Sequence, residues 1–134
     1  MKLTLLRAFL GLGAATWGAA APGVFLKWRT AADAMEGFGA SPVTYDRMLD
    51  YWLRMASGGF ALVGCLYLLL MIWPRRFREI VPFMGWFALI EGVVLLGHGL
   101  RLGLHPWPFY GDVSACFVSG GGILICWRSA WTSM

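Results

Sequence analysis

Ionisable side chains interrupt one of the most apolar stretches of this sequence, EGVVLLGHGLRLGLH at residues 91–105. Glutamate, histidine and arginine side chains inside a membrane can bind a ligand or relay protons. On a helix of about 3.6 residues per turn, Glu91, His98 and His105 fall on one face and Arg101 lies at its edge. The spacing therefore predicts a polar stripe along one helix.

This stripe is too extended for a compact metal centre. His98 and His105 lie about 10.5 Å apart along a helix that rises about 1.5 Å per residue, too far to bind one ion without a further ligand. We therefore predict neither a metal nor a cofactor. Two alternatives stay open: His98 alone could bind a haem or a chlorophyll-type pigment, and protons or small anions could pass along the stripe.

Composition places these residues in a membrane protein. Hydrophobic residues make up 59% of the chain and charged residues 13%, against about 45–50% and about 25% in soluble domains. A bilayer-spanning helix needs about 20 mostly apolar residues. Four such runs predict an all-α bundle of four transmembrane helices in a single domain over residues 1–134, with spans at 5–26, 51–73, 80–104 and 109–127.

The first run also has features of a secretory signal that is removed. It starts with basic residues, continues with an apolar centre and contains the small residues Ala19, Ala20 and Ala21. Pro22 follows this triplet directly and argues against cleavage there. We therefore interpret the first run as a retained transmembrane helix.

The connections between the runs differ in length and chemistry. Residues 73–79, WPRRFRE, form a short basic turn in which Pro74 ends the second helix. The long connection at 27–50 is predicted to hold a short helix over residues 31–35. Asp112, after a proline-rich connection, is predicted to cap the fourth helix.

Charge distribution indicates the orientation in the membrane. Four spans put both termini and the basic turn on one side, where the cations outnumber the single acid, Glu79. These cations are Lys2, Arg7, Arg75, Arg76, Arg78 and Arg128. Since positive loops stay in the cytoplasm, we predict cytoplasmic termini. The net charge of +4 then reflects topology and lipid head groups, with no need for nucleic acid as a partner.

Arg54 in the second run is the predicted partner of Glu91. Asp46, Asp50 and Arg54 recur at every fourth residue, so they share one face of a helix. A guanidinium buried in the membrane is costly unless it is paired, and Arg54 matches His98 in depth. We therefore expect the second and third helices to face each other, with Arg54 bound to Glu91 directly or through His98 and water.

Small residues predict where helices approach closely. Helices in a membrane associate through close packing, which glycine permits. We assign this role to Gly58 and Gly59 in the second run and to Gly122 in the fourth.

Three stretches resemble an uncharacterised bacterial family of small four-helix integral membrane proteins, a domain of unknown function. They are DYWLRMASGGFALVGCLYLLL, EGVVLLGHGLRLGL and FYGD, and the likeness covers about residues 50–125. The pattern places an arginine before a glycine pair and a second arginine before a glycine-aspartate turn, here Arg54, Gly58, Gly59, Arg101, Gly111 and Asp112. The resemblance implies a bacterial inner-membrane protein and no particular activity.

Two functions fit these residues. The sequence offers no nucleophile beside a base, no paired carboxylates and no phosphate-binding loop, so we do not expect an enzyme. We expect an accessory or structural subunit of a larger membrane complex, or a homo-oligomer. The alternative is a protein that binds or transports protons, or a small acidic or lipid-like ligand, along the seam between the second and third helices.

Overall fold

Four long helices and one short helix make up most of the described chain. The structure, a computed structural model, describes residues 2–131, excluding the side chains at positions 108, 130 and 131. The helices are α1 (Lys2–Gly18), α2 (Trp28–Gly37), α3 (Arg47–Ile72), α4 (Ile80–Leu102) and α5 (Pro106–Trp131), with a 3₁₀ turn (Ala21–Val24) after α1.

The segments long and apolar enough to cross a membrane agree with the four predicted spans. They are Lys2–Val24, Arg47–Ile72, Ile80–Leu102 and Phe109–Ser129. The all-α class and the short helix in the long connection are confirmed. The single-domain prediction also includes residues 1 and 132–134, which lie outside the described residues.

Local sequence explains where α3 begins and α4 ends. Asp46 Oδ1 accepts hydrogen bonds from the backbone N–H groups of Met48, at 2.8 Å, and Leu49, at 2.9 Å. This side-chain cap lets α3 start at Arg47, ahead of the predicted span. At the end of α4, Gly103 takes a left-handed conformation with φ of 60°, which glycine adopts without strain.

A break near the start of α5 changes the expected role of Asp112. Trp107 has φ −106° and ψ 131° inside the helix. Its extended conformation has a simple cause, since a residue before proline is disfavoured from the helical region. The helix resumes after Trp107, so Asp112 lies inside α5 and not at its start. The predicted cap at Asp112 is therefore wrong.

The long helices pack in the order α3, α1, α5, α4. Within the described chain, α1 packs against α3 and α5, and α5 packs against α4. Arg7 donates to the Ile72 carbonyl at 3.4 Å and the Trp127 indole donates to the Arg78 carbonyl at 3.0 Å, so neighbouring helices are antiparallel. The described parts of α3 and α4 share no extensive interface. The two helices are therefore not the closely packed pair that was expected, although the Tyr67 side chain of α3 reaches the Met84 carbonyl of α4.

Fully buried side chains fill one half of the bundle. We call the end with residues 73–79 the turn end, and the end with α2 and residues 103–105 the loop end. The turn half holds side chains with no exposed surface, namely Leu6, Leu10, Tyr67, Leu70, Val81 and Ile123. The Tyr67 hydroxyl donates to the Met84 carbonyl at 2.9 Å and so links α3 to α4 across this core.

The outside of the bundle is apolar. Large side chains such as Leu62, 72% exposed, and Ile125, 75% exposed, point away from the core. A soluble protein rarely exposes large continuous apolar surface, whereas a bilayer covers it without cost. The exterior therefore fits an integral membrane protein.

Only one of the three glycines predicted to allow close helix packing does so in the structure. A side chain at Gly122 would collide with the ring of Phe9, as expected for a packing position. Gly59 faces open space, and a Cβ at Gly58 would meet only Val24, at 3.9 Å. The close backbone approach of α3 is at Gly64, where a Cβ would lie 2.6 Å from the Gly18 nitrogen. The assignment of Gly58 and Gly59 to close packing is wrong.

Candidate functional site

Glu91 lines a cavity in the middle of the bundle. It lies halfway along α4, about 16 Å from Ile80 at about 1.5 Å per residue, and it is partly buried. The cavity, called the inner cavity below, has a volume of about 250 Å³. It is lined by residues of α1, α3, α4 and α5 and of the chain just after α1, namely Thr16, Trp17, Ala20, Phe60, Glu91, Leu95, Asp112 and Cys116.

Asp112 brings a second carboxylate to the inner cavity. It comes from α5, whereas Glu91 comes from α4. These two helices pack along their length, with Gly92 of α4 against Cys116 of α5. Cys116 lies one helical turn after Asp112, so Asp112 is closer to the loop end than Glu91.

Aromatic rings form the opposite wall of the inner cavity. Trp17 of α1 contacts Phe60 of α3 edge to face, with ring centroids 5.4 Å apart. It also contacts Phe87 of α4 at 5.7 Å. Trp17 therefore spans the gap between α3 and α4, and the cavity combines carboxylates on one side with aromatic rings on the other.

Neither carboxylate has a partner among the described residues. No hydrogen bond or ion pair in residues 2–131 joins Glu91 or Asp112 to another group. Glu91 is half-buried and Asp112 is exposed where they line this cavity. Two negative charges that line one cavity repel each other, and a cation between them lowers that repulsion. The inner cavity is therefore suited to a positively charged guest.

A second cavity, the vestibule, connects the inner cavity to the loop end. Its volume is about 370 Å³. It shares Leu95 and Asp112 with the inner cavity, so the two cavities adjoin. Its other lining residues come from α2 and the chain after it, from α4, from the α4–α5 connection and from α5: Met35, Phe38, Gly39, Ala40, His98, Gly99, Leu104, His105 and Phe109.

The vestibule has a fixed rim on the side of His105. Nδ1 of His105 lies 2.9 Å from the Trp107 carbonyl oxygen, and this contact holds the imidazole in the connection. Gly39, with φ of 95°, lies over the histidine, and a Cβ there would be 3.2 Å from His105 Cβ. The positive φ requires glycine, so the chain after α2 is shaped to cover this part of the vestibule.

The structure brings together three of the five residues predicted for a polar network. Glu91 and His98 lie on one face of α4, as the spacing predicts, and line adjoining cavities. His105 also lines the vestibule, although α4 has ended at Leu102 and the connection places it there. Arg101 is exposed and lines neither cavity.

Arg54 belongs to a different polar network. Its guanidinium pairs with the Asp50 carboxylate at 2.8 Å and donates to the Gly23 carbonyl at 2.8 Å. The shared helix face predicted for Asp50 and Arg54 is confirmed. No ion pair in the described residues joins Arg54 to Glu91, so the predicted direct partnership is wrong. Arg54 instead ties α3 to the 3₁₀ turn after α1.

The described residues provide no cluster for a metal ion. Among them, no group of three or more His, Cys, Asp or Glu side chains is arranged to hold one. The nearby hydroxyl groups bond to their own helices, since Thr16 donates to Leu12 O at 2.9 Å and Ser119 to Cys116 O at 3.3 Å. The groups in the inner cavity that remain available for chemistry are therefore two carboxylates and the Cys116 thiol.

Sequence reasoning missed Asp112 and Trp17 as residues of the site. Asp112 was assigned to a helix cap, although Asp112, Cys116 and Ser119 recur at helical spacing and indicate a polar face on the fourth helix. Trp17 carried only a weak signal, its position in the middle of an apolar run.

Together these features define the class of protein: an all-α protein with four helices long and apolar enough to cross a membrane, and with a cavity lined by carboxylates and aromatic rings. A scan against family models, a search of curated proteins and a search of solved structures each found no match.

Proposed function

We propose that this protein is a non-enzymatic integral membrane protein that binds a small organic cation, an ammonium ion, in the inner cavity. One observation carries the proposal. Glu91 and Asp112, from two different helices, line the same cavity as Trp17 and Phe60 and have no partner among the described residues.

An organic ammonium ion fits both walls of this cavity. Carboxylates supply the countercharge, and the faces of tryptophan and phenylalanine attract cations by about 0.5–2 kcal/mol each. Small-molecule sites are mostly apolar with a few polar groups that orient the ligand, as here. The acidic ligand expected from the sequence would be repelled by Glu91 and Asp112.

The ligand enters from the loop end under this proposal. The vestibule adjoins the inner cavity at Asp112 and Leu95, whereas fully buried side chains fill the turn half. The two cavities therefore form a binding pocket that is closed at the turn end, and not a continuous channel.

A binding role fits these contacts better than an enzymatic one. Activated nucleophiles are hydrogen-bonded to a base. The Thr16 hydroxyl, which lines the inner cavity, is bonded to the backbone of its own helix. The Cys116 thiol lines the same cavity and has no hydrogen bond to a base among the described residues. We therefore place the protein among binding proteins.

We assign the turn end to the cytoplasm. Lys2, Arg7, Arg75, Arg76, Arg78 and Arg128 lie on the helices and turn at this end, and positive loops stay cytoplasmic. Both termini are then cytoplasmic. The bacterial inner membrane as the location rests on the resemblance to the bacterial family.

Binding of tetramethylammonium tests the proposal. We expect wild-type protein in detergent to bind it, and Glu91→Gln to raise Kd at least about tenfold, equivalent to about 1.4 kcal/mol, because the amide keeps the shape but removes the charge. Glu36→Gln is the matched control, since Glu36 is exposed on α2 and lines neither cavity. Isothermal titration calorimetry measures both. Equal affinity of wild type and Glu91→Gln, or equal binding of the uncharged analogue neopentane, contradicts the proposal.

A structural role is the second candidate, as a subunit of a larger membrane complex or of a homo-oligomer. It is favoured by a groove of about 460 Å³ between α1 and α3 that is open on one side. Small residues line much of it, including Gly11, Ala15, Gly18 and Ala61, and such surfaces let a further helix approach closely. Cys65 is exposed in the same groove.

Crosslinking through Cys65 tests the homo-oligomer. In a variant with Cys116→Ala and Cys126→Ala, oxidation in native membranes should give a disulfide-linked dimer if the groove binds a second copy. The same variant with Cys65→Ala is the control. A chain that stays monomeric by gel electrophoresis and in mild detergent argues against self-association, and co-purification of another subunit would then support the larger complex.

A further inference from the structure

We propose that the turn end carries a binding site for the head group of an anionic phospholipid, in a cavity between the start of α4 and the end of α5. This cavity has a volume of about 360 Å³ and is lined by Arg78, Glu79, Pro82 and Trp127. It is separate from the inner cavity and does not depend on the function proposed above.

Arg78 lines this cavity, and Arg75 lies three residues before it in the same turn. Arg7 is held by the Ile72 carbonyl at 3.4 Å, and the Arg76 guanidinium lies over the Phe77 ring at 5.8 Å. In the part of the chain that the structure describes, Arg75 has no hydrogen-bond or ionic partner. Arg78 is 63% exposed and lies 3.9 Å from Glu79, a surface pair of little energetic weight.

The cavity wall has a defined shape. The Trp127 indole N–H donates to the Arg78 carbonyl at 3.0 Å, so the end of α5 is fixed against the start of α4. Indole rings favour the depth of lipid head groups. Phe83, the residue after Pro82 in α4, is 66% exposed and offers apolar surface to an acyl chain. An arginine and an indole ring beside apolar surface match a phosphate joined to a lipid tail.

Charge distinguishes this end from the loop end. Glu79 is the one acidic residue among the residues described from the end of α3 to the start of α4, beside three arginines. At the loop end, residues 28–50, from α2 to the first turn of α3, hold four acidic residues against two arginines. An anionic lipid therefore gains more from the turn end.

Native mass spectrometry of protein released from nanodiscs of phosphatidylglycerol and phosphatidylcholine in equal amounts tests the proposal. We expect wild type to retain phosphatidylglycerol preferentially. Because each arginine near anionic lipid contributes roughly a fivefold gain in affinity, Arg75→Gln with Arg78→Gln should weaken retention about 25-fold. The corresponding double lysine variant keeps the charge and should retain the lipid.

Three controls make the result decisive. Arg29→Gln, exposed at the loop end, should retain the lipid as wild type does. Glu91→Gln should also retain it, so failure here is distinguishable from failure of the cation site. Millimolar inorganic phosphate should not displace the lipid, because phosphate lacks the tails. Equal retention of both lipids by wild type, unchanged retention by the double glutamine variant, the same loss in Arg29→Gln, or displacement by phosphate overturns the proposal.

Discussion

The turn half and the loop half of this bundle are built from the same four helices but filled differently. Around Tyr67 and Leu70, side chains without exposed surface interlock with those of α1, α4 and α5. In the loop half, the inner cavity and the vestibule adjoin at Asp112, and α3 is tied to the chain after α1 by polar contacts of Arg54. The turn half is therefore closely packed, whereas the loop half contains open space.

The largest effect on stability is expected at the packed seam between α4 and α5. A Cβ at Gly120 would lie 2.7 Å from the Gly85 carbonyl oxygen, whereas one at Gly121 would meet nothing within 4 Å. Gly120→Val should lower the free energy of unfolding by about 3 kcal/mol, because backbone cannot move aside as a side chain can. Unfolding in mixed detergent micelles measures this.

Gly121→Val is the matched control and should change stability by no more than about 0.5 kcal/mol. Similar losses in the two variants would show that α4 and α5 are not packed as described.

Arg54 should stabilise the loop end through Asp50 and the Gly23 carbonyl, and not through Glu91 as the sequence indicated. Arg54→Met removes the contacts with Asp50 and the Gly23 carbonyl, which should cost about 1.5 kcal/mol. A double-mutant cycle with Asp50→Asn should show coupling of at least about 0.5 kcal/mol, whereas a cycle with Glu91→Gln should be additive within about 0.5 kcal/mol. Strong coupling to Glu91 would restore the original hypothesis of an Arg54–Glu91 pair.

A smaller effect is expected for the hydrogen bond that crosses the core of the turn half. Tyr67→Phe keeps the ring and removes the hydroxyl that donates to Met84 O at 2.9 Å, so it should cost about 1 kcal/mol. Tyr51→Phe, at an exposed position on α3, serves as the control and should be neutral. If Tyr67→Phe is neutral as well, the hydroxyl does not link α3 to α4.

Much of the fold follows from the sequence because the length of apolar runs is a direct physical constraint. A helix that crosses a bilayer needs about 20 apolar residues, and this fixed the number and positions of the spans. Pairing of the helices is not constrained in this way. Glycine occurs in all four long helices, and nothing in the sequence shows that Gly64 approaches another backbone while Gly59 faces open space.

The candidate site was predictable only where one helix determines it. Helical spacing places Glu91 and His98 on one face of α4, and the structure keeps them there. Asp112 reaches the same cavity from another helix, through a break at Trp107 and the packing of α5. Whether residues of two helices line the same cavity depends on tertiary structure, which the sequence does not show. The sequence therefore indicated Arg54 as the partner of Glu91, whereas the structure places Asp112 in the same cavity.

The most direct test of the central claim compares two positions on α4. In a variant without native cysteines, Leu95→Cys faces both cavities, and Met84→Cys lies in the packed core, where Met84 is 2% exposed. A small ammonium-bearing thiol reagent should modify Leu95→Cys faster than a sulfonate-bearing one, and Glu91→Gln should reduce that preference. Met84→Cys should resist both reagents. Modification of both positions at similar rates, or no preference for the cationic reagent, would contradict a carboxylate-lined cavity open at the loop end.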